Sequence, residues 1–161
     1  MATRPKLPAD FVELLTAFGA AEVRYLVIGG YAVGYHDRPR TTKDLDLLLD
    51  ADPDNIRKAC VALAEFGAPQ HVIADLAAAT PDEIVWMGRA PLRVDLLQQA
   101  PGVSFGSAWQ RRETADWGGA NVLVIGLEDL IAAKRAAGRD QDLLDAKNLE
   151  RVLASGSKRQ R

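Results

Sequence analysis

The stretch Asp44-Leu45-Asp46-Leu47-Leu48-Leu49 constrains this chain more than any other. Leu45 to Leu49 reads as a buried strand, and alternate residues on a strand share a face. Asp44 and Asp46 therefore project side by side, roughly 6–7 Å apart, at the start of a core element. At an effective dielectric of about 20, two carboxylates at that spacing repel by on the order of 2–3 kcal/mol. Folding alone does not require this arrangement. A divalent cation between the acids would convert the repulsion into binding, and hard ions such as Mg²⁺ take carboxylate oxygens while keeping positions open for phosphate.

A third acid repeats the anomaly. Asp95 interrupts the apolar segment Leu92-Arg93-Val94-Asp95-Leu96-Leu97. Beside the Asp44/Asp46 strand it would complete a three-carboxylate set able to hold two metal ions about 4 Å apart. Upstream, Val23 to Ile28 is a strand that runs into Gly29-Gly30 and then a short helix from Tyr31 to about His36. Glycine lets a phosphate approach the backbone, and a helix N-terminus offers free N–H groups. Either piece alone has a bland explanation: a solvated strand end, or a tight turn. Together they describe a phosphate-and-metal site.

The remaining pattern places this core in a mixed fold. Phe11, Leu14, Leu15 and Phe18 form one helical stripe between Pro8 and Gly19. Asp52-Pro53 starts a helix that Gly67 closes, with Cys60 on its apolar face as a buried, inert thiol. Asp82 to Met87 and Leu92 to Gln98 read as a hairpin around Gly88-Arg89-Ala90-Pro91. Phe105 to Arg112 reads as helix and Asn121 to Ile125 as strand. Leu127 to Ala137 and Gln141 to Leu153 read as helices hinged at Gly138. The expected class is α/β (or α+β), a mixed sheet flanked by helices with a C-terminal helical pair. Residues 1–126 form the core, 127–154 a helical extension of the same domain, and 155–161 a disordered tail.

Composition removes several alternatives. In 161 residues, 20 Lys+Arg stand against 22 Asp+Glu, a formal charge of −2, which argues against non-specific coating of nucleic acid. One Cys excludes a disulfide framework or a thiolate zinc cluster. Met1 to Lys6 has no apolar run behind its basic residues, and the longest apolar stretch is too short for a bilayer, so a cytoplasmic protein without membrane contact is expected. Two His residues give no zinc spacing, and His36 reads as a surface residue. Trp86, Trp109 and Trp117 read as core or interface anchors rather than stacking platforms.

Gly29-Gly30, Arg40-Thr41-Thr42-Lys43-Asp44-Leu45-Asp46 and the later Asp95 together resemble the minimal core of the nucleotidyltransferase superfamily. The R-x-T-x-D-x-D form is similar to that of lincosamide nucleotidyltransferases and of abortive-infection (AbiEii-like) toxins. Lys134 and Arg139-Asp140-Gln141-Asp142-Leu143-Leu144-Asp145 resemble the C-terminal helices of the toxin branch. The resemblance implies transfer of a nucleoside monophosphate from an NTP to an acceptor hydroxyl. Asp44, Asp46 and Asp95 would hold Mg²⁺ (or Mn²⁺) and act catalytically. Gly29, Gly30, Arg40, Thr42, Lys43, Lys134 and Arg139 would bind the nucleotide, with Asp142 and Asp145 in a second tier. Acceptor RNA (tRNA, for a toxin with an antitoxin partner) or a drug (a lincosamide or aminoglycoside) is implied, and a homodimer could build the drug pocket that a short chain lacks; a non-catalytic nucleotide-binding or interaction module on the same fold is the remaining alternative. From the residues alone, Lys134, Arg139, Asp142 and Asp145 serve equally as ion pairs that fix the two helices.

Overall fold

A computed structural model describes residues 7–159, with side chains through 156. Met1 to Lys6 and the last two residues of the expected tail lie outside the described residues. Elements follow in the order α1 (Ala9–Ala20), β1 (Tyr25–Ile28), α2 (Gly29–His36), β2 (Asp44–Leu49), α3 (Pro53–Phe66) and α4 (Gln70–Ala78). Then come β3 (Val85–Met87), β4 (Arg93–Leu97), α5 (Phe105–Gln110), β5 (Glu113–Trp117), β6 (Ala120–Val124), α6 (Leu127–Ala137) and α7 (Asp140–Arg159).

The strands form one mixed sheet in the order β3-β4-β2-β1-β6-β5. β1 and β2 are antiparallel, whereas β2 and β4 run parallel, as do β1 and β6. Sequence neighbours β3/β4 and β5/β6 close the two edges as hairpins. The central strands β1 and β2 are the most apolar, with Leu26, Val27, Leu45, Leu47 and Leu49 fully buried. α1 supplies Phe11, Leu14, Leu15 and Phe18 to the same core, as its stripe dictates. Among the described residues no helix is long and apolar enough to cross a membrane.

Local chemistry sets the boundaries. The Asp52 carboxylate accepts from the Asp54 N–H at 2.9 Å, capping α3, and Gly67 ends it in the left-handed conformation. Gly138 ends α6 in the same way, so α7 can fold back on α6. β3 starts at Val85 rather than Asp82 because Thr80 captures Asp82 and Glu83 in a side-chain turn. Cys60 points at the Ile73 carbonyl, and burial pushes its thiol pKa up, which leaves it inert.

Three features depart from the sequence expectation. α4 buries only Val72 and Leu76, too few apolar positions to announce a helix. β5 is an edge strand whose residues are mostly exposed, so its apolar pattern is faint. α7 continues to Arg159, through residues expected in the tail; extending an existing helix gains a hydrogen bond for each residue ordered.

Candidate active site

The register brings the three acids together. Asp46 on β2 is paired with Asp95 on β4, and Asp44 with Arg93. Paired residues on adjacent strands share a face, so Asp44, Asp46 and Asp95 all project from the same side of the sheet. The row extends at both ends. Asp46 is paired with Ile28, the last residue before the glycine corner, and Asp95 with Trp86 on β3.

The glycine corner closes on this row. Gly29 has φ +69°, and a Cβ there would overlap the Asp46 carboxylate. Only glycine meets both demands, the left-handed backbone and the missing side chain. A Cβ on Gly30 would stand 2.7 Å from the Thr42 hydroxyl. That hydroxyl donates to the Asp44 backbone carbonyl at 3.2 Å, which ties the corner to the strand carrying the acids. α2 starts at Gly29, so its free N–H groups open beside Asp46.

Electrostatics single out Asp46. Its pKa is pushed up from 3.8 to about 7, first by burial, then by the charges of Asp95 and Asp44 and a hydrogen bond shared with Asp95; Lys134 offsets part of this. Arg93 donates to one Asp95 oxygen at 2.7 Å. Among the described residues no group of three or more His, Cys, Asp or Glu is placed to hold a metal ion, so the expected three-carboxylate metal set is not formed as such. What exists is an open set of hard oxygens with surplus negative charge. That suits a cation such as Mg²⁺, which keeps several waters and takes only one or two protein carboxylates.

The cationic candidates from the C-terminal helices and from the loop before β2 are engaged with acids. Lys134 lies 3.3 Å from Asp142 and 3.0 Å from Asp145. Arg40 meets Asp145 through two hydrogen bonds, at 2.8 and 3.2 Å, and Arg139 meets Asp142 at 2.7 Å. Gln141 adds a bond to Asp145 at 2.9 Å. Both acids are buried. Burial alone would raise their pKa values, but hydrogen bonds from Arg139 and Lys134 to Asp142, and from Arg40, Lys134 and Gln141 to Asp145, hold both below the ordinary carboxylate range. The ion-pair arrangement that fixes the helices is therefore formed, and it also pins Arg40 over the Gly30 corner. Lys43 is exposed.

Two expectations change. His36 is not a surface residue: its side chain is 6% exposed, and Nε2 donates to the Ile125 carbonyl at 2.7 Å, bracing α2 against the end of β6. Of the tryptophans, Trp117 is a core anchor at 1% exposure, whereas Trp86 is 54% exposed on the face that carries the acids. The alternation Val85-Trp86-Met87 held that signal, since Val85 and Met87 are buried and the residue between them must face the other way.

The family model for a nucleotidyltransferase of unknown function (DUF6036) matches residues 9–154, nearly the whole described chain. The chain belongs to this nucleotidyltransferase family. No curated protein matches in sequence. Solved structures share the fold. The lincosamide antibiotic adenylyltransferase LnuA in its lincomycin-bound form is similar with a TM-score of 0.58 and 15% identity, over 92% of this chain and 99% of that one. An antigenic nucleotidyltransferase-like protein from Paracoccidioides brasiliensis is similar with a TM-score of 0.50 and 14% identity, over 92% of this chain and 78% of the other. The DUF6036 match therefore covers both the acid row and the C-terminal helical pair.

Proposed function

We propose that this DUF6036 chain transfers a nucleoside monophosphate from an NTP to an acceptor hydroxyl on RNA, in the manner of a toxin-type nucleotidyltransferase. The observation that carries the reading is the uncompensated charge of Asp46, packed against Asp44, Asp95 and the Gly29 corner. Asp44 and Asp46 would hold Mg²⁺ (or Mn²⁺), and Asp95 would share in binding it. When bound, the ion neutralises charge on the triphosphate and on the departing pyrophosphate.

The chain's own groups do the rest. The Gly29-Gly30 corner and the N-terminus of α2 receive phosphate oxygens through backbone N–H groups. Thr42 keeps the Asp44 strand in register with that corner. Asp95 takes the proton of the acceptor hydroxyl, whose oxygen forms a bond to the α-phosphorus as the bond to the pyrophosphate oxygen breaks. Arg93 holds Asp95 in place for this. Arg40, Lys43, Lys134 and Arg139 supply positive charge around the phosphates; Arg40, Lys134 and Arg139 do so from within their ion pairs, so their charge is partly spent already.

A small-molecule acceptor is the second reading. It is favoured by the match in length and fold to LnuA, whose structure holds lincomycin. One experiment separates the two. The protein is incubated with each α-³²P-labelled NTP, Mg²⁺, and either total tRNA or a panel of lincosamides and aminoglycosides. Label on tRNA supports the first reading and label on a drug the second. Well-folded protein that labels neither refutes both. An antitoxin partner would appear as a protein that suppresses the labelling.

A further inference from the structure

We infer that Trp86, braced by Arg93, is a stacking platform that holds a nucleobase of the acceptor beside the acid row. The inference rests on the nucleotidyl-transfer reading above and names the chemistry of its acceptor side. Three observations carry it. Trp86 stands in register with Asp95, which stands in register with Asp46, so the three form one row across β3, β4 and β2. The indole is 54% exposed, although core positions flank it on both sides in the chain. The Arg93 guanidinium lies 4.8 Å from the ring centroid while also gripping Asp95.

A large exposed indole needs a reason, and folding supplies none here. The cation over the ring fixes its orientation, so the exposed surface is a preset flat aromatic patch. Such patches bind single-stranded nucleic acid by base stacking. The span fits as well. Two strand spacings, roughly 10 Å, separate Trp86 from Asp46, with Asp95 midway. A base stacked on Trp86 would carry its own ribose hydroxyl into the space over Asp95 and Asp46, where the proposed transfer takes place. Arg93, linked to both ring and acid, fixes the distance between platform and chemistry. β3 has only three residues, a short edge that offers little for strand pairing with another chain.

The test uses the full chain and a fluorescently labelled single-stranded RNA decamer, alongside direct binding of each NTP with Mg²⁺. Trp86→Ala should weaken RNA binding by about tenfold or more, Trp86→Phe should restore most of it, and both should bind NTP as the wild type does. Oligomeric state is measured for all three proteins. Unchanged RNA affinity in Trp86→Ala overturns the inference. So does a wild-type oligomer that the substitution dissociates, because the indole would then be a self-association contact. Lincomycin binding lost in Trp86→Ala, with no RNA binding by wild type, overturns the nucleobase assignment in favour of a drug. RNA binding that depends on Trp86 in a protein that binds no NTP would keep the platform and refute the transferase reading instead.

Discussion

The molecule holds two acidic clusters on neighbouring elements, and they are opposite in electrostatic character. Asp142, Asp145 and Asp46 are all largely withdrawn from solvent, yet the pKa values of the first two fall below the ordinary range while that of Asp46 rises to about 7. Burial acts in the same direction in both places. The difference is compensation. Asp142 and Asp145 face Arg40, Lys134, Arg139 and Gln141, whereas Asp46 faces two more acids and only a distant share of Lys134. A compensated cluster is finished as a structural joint: it ties the loop before β2 to the C-terminal helices. An uncompensated one is held in a costly state by the surrounding fold, which is the signature of a group kept for a ligand.

The largest effect should come from the uncompensated cluster. Asp46→Asn keeps shape and removes charge. It should abolish transfer, by about a thousandfold or more, because several kcal/mol of charge stabilisation are lost at about 1.36 kcal/mol per tenfold. The same acid-to-amide change at Asp142 should reduce labelling no more than about tenfold. Single-turnover labelling of the acceptor measures both. If Asp142→Asn proves as damaging as Asp46→Asn, the second cluster is catalytic machinery and the contrast collapses.

Stability should respond in the reverse order. Asp145→Ala takes from Arg40 the acid it pairs with and leaves Lys134, only 12% exposed, with Asp142 alone. Removing one partner of a buried pair costs about 3 kcal/mol or more. Urea denaturation should report a loss of that size, with the α6/α7 pair loosening first. A loss under about 1 kcal/mol would mean that water already screens this joint and that its hydrogen bonds hold little.

How much of this was visible in the sequence follows from the range of each interaction. The corner and the D-x-D strand are local patterns, and the structure places Gly29 against Asp46 and Gly30 against Thr42. Asp95 was readable as an acid inside an apolar strand; its facing Asp46 needed the parallel β2–β4 pairing, which no local pattern fixes. Arg40 was readable only as a loop cation. Its partner, Asp145, lies 105 residues away, so the joint is a product of tertiary folding alone. Trp86 reads from the sequence as a core or interface anchor, and its exposure removes the core alternative, because the two-residue period of the strand turns it outward. The roles of these residues remain those of the proposal; their placement is what the fold supplies.

The smallest effect is the sharpest test of charge compensation. In metal-free protein, Asp46 binds its proton more tightly folded than unfolded, so its contribution to stability is greatest below pH 4. That contribution declines as pH rises from about 4 to about 7 and stays lost above. Asp142 and Asp145 act in the opposite direction: their pKa values are lowered, so they stabilise above the unfolded carboxylate range and that contribution is lost on acidification. The displacement from 3.8 to about 7 corresponds to at most about 4 kcal/mol at 1.36 kcal/mol per pH unit; relaxation and water entry should reduce the measured value to about 1–2 kcal/mol. Asp46→Asn should therefore be more stable than wild type at pH 8, and the two should converge near pH 4. Millimolar Mg²⁺ at pH 8 should raise the thermal midpoint of wild type and leave Asp46→Asn unmoved, because the cation supplies the compensation that the amide no longer needs. A wild type that gains nothing from Mg²⁺, paired with a variant no more stable than its parent, would place Asp46 in the same class as Asp142 and Asp145.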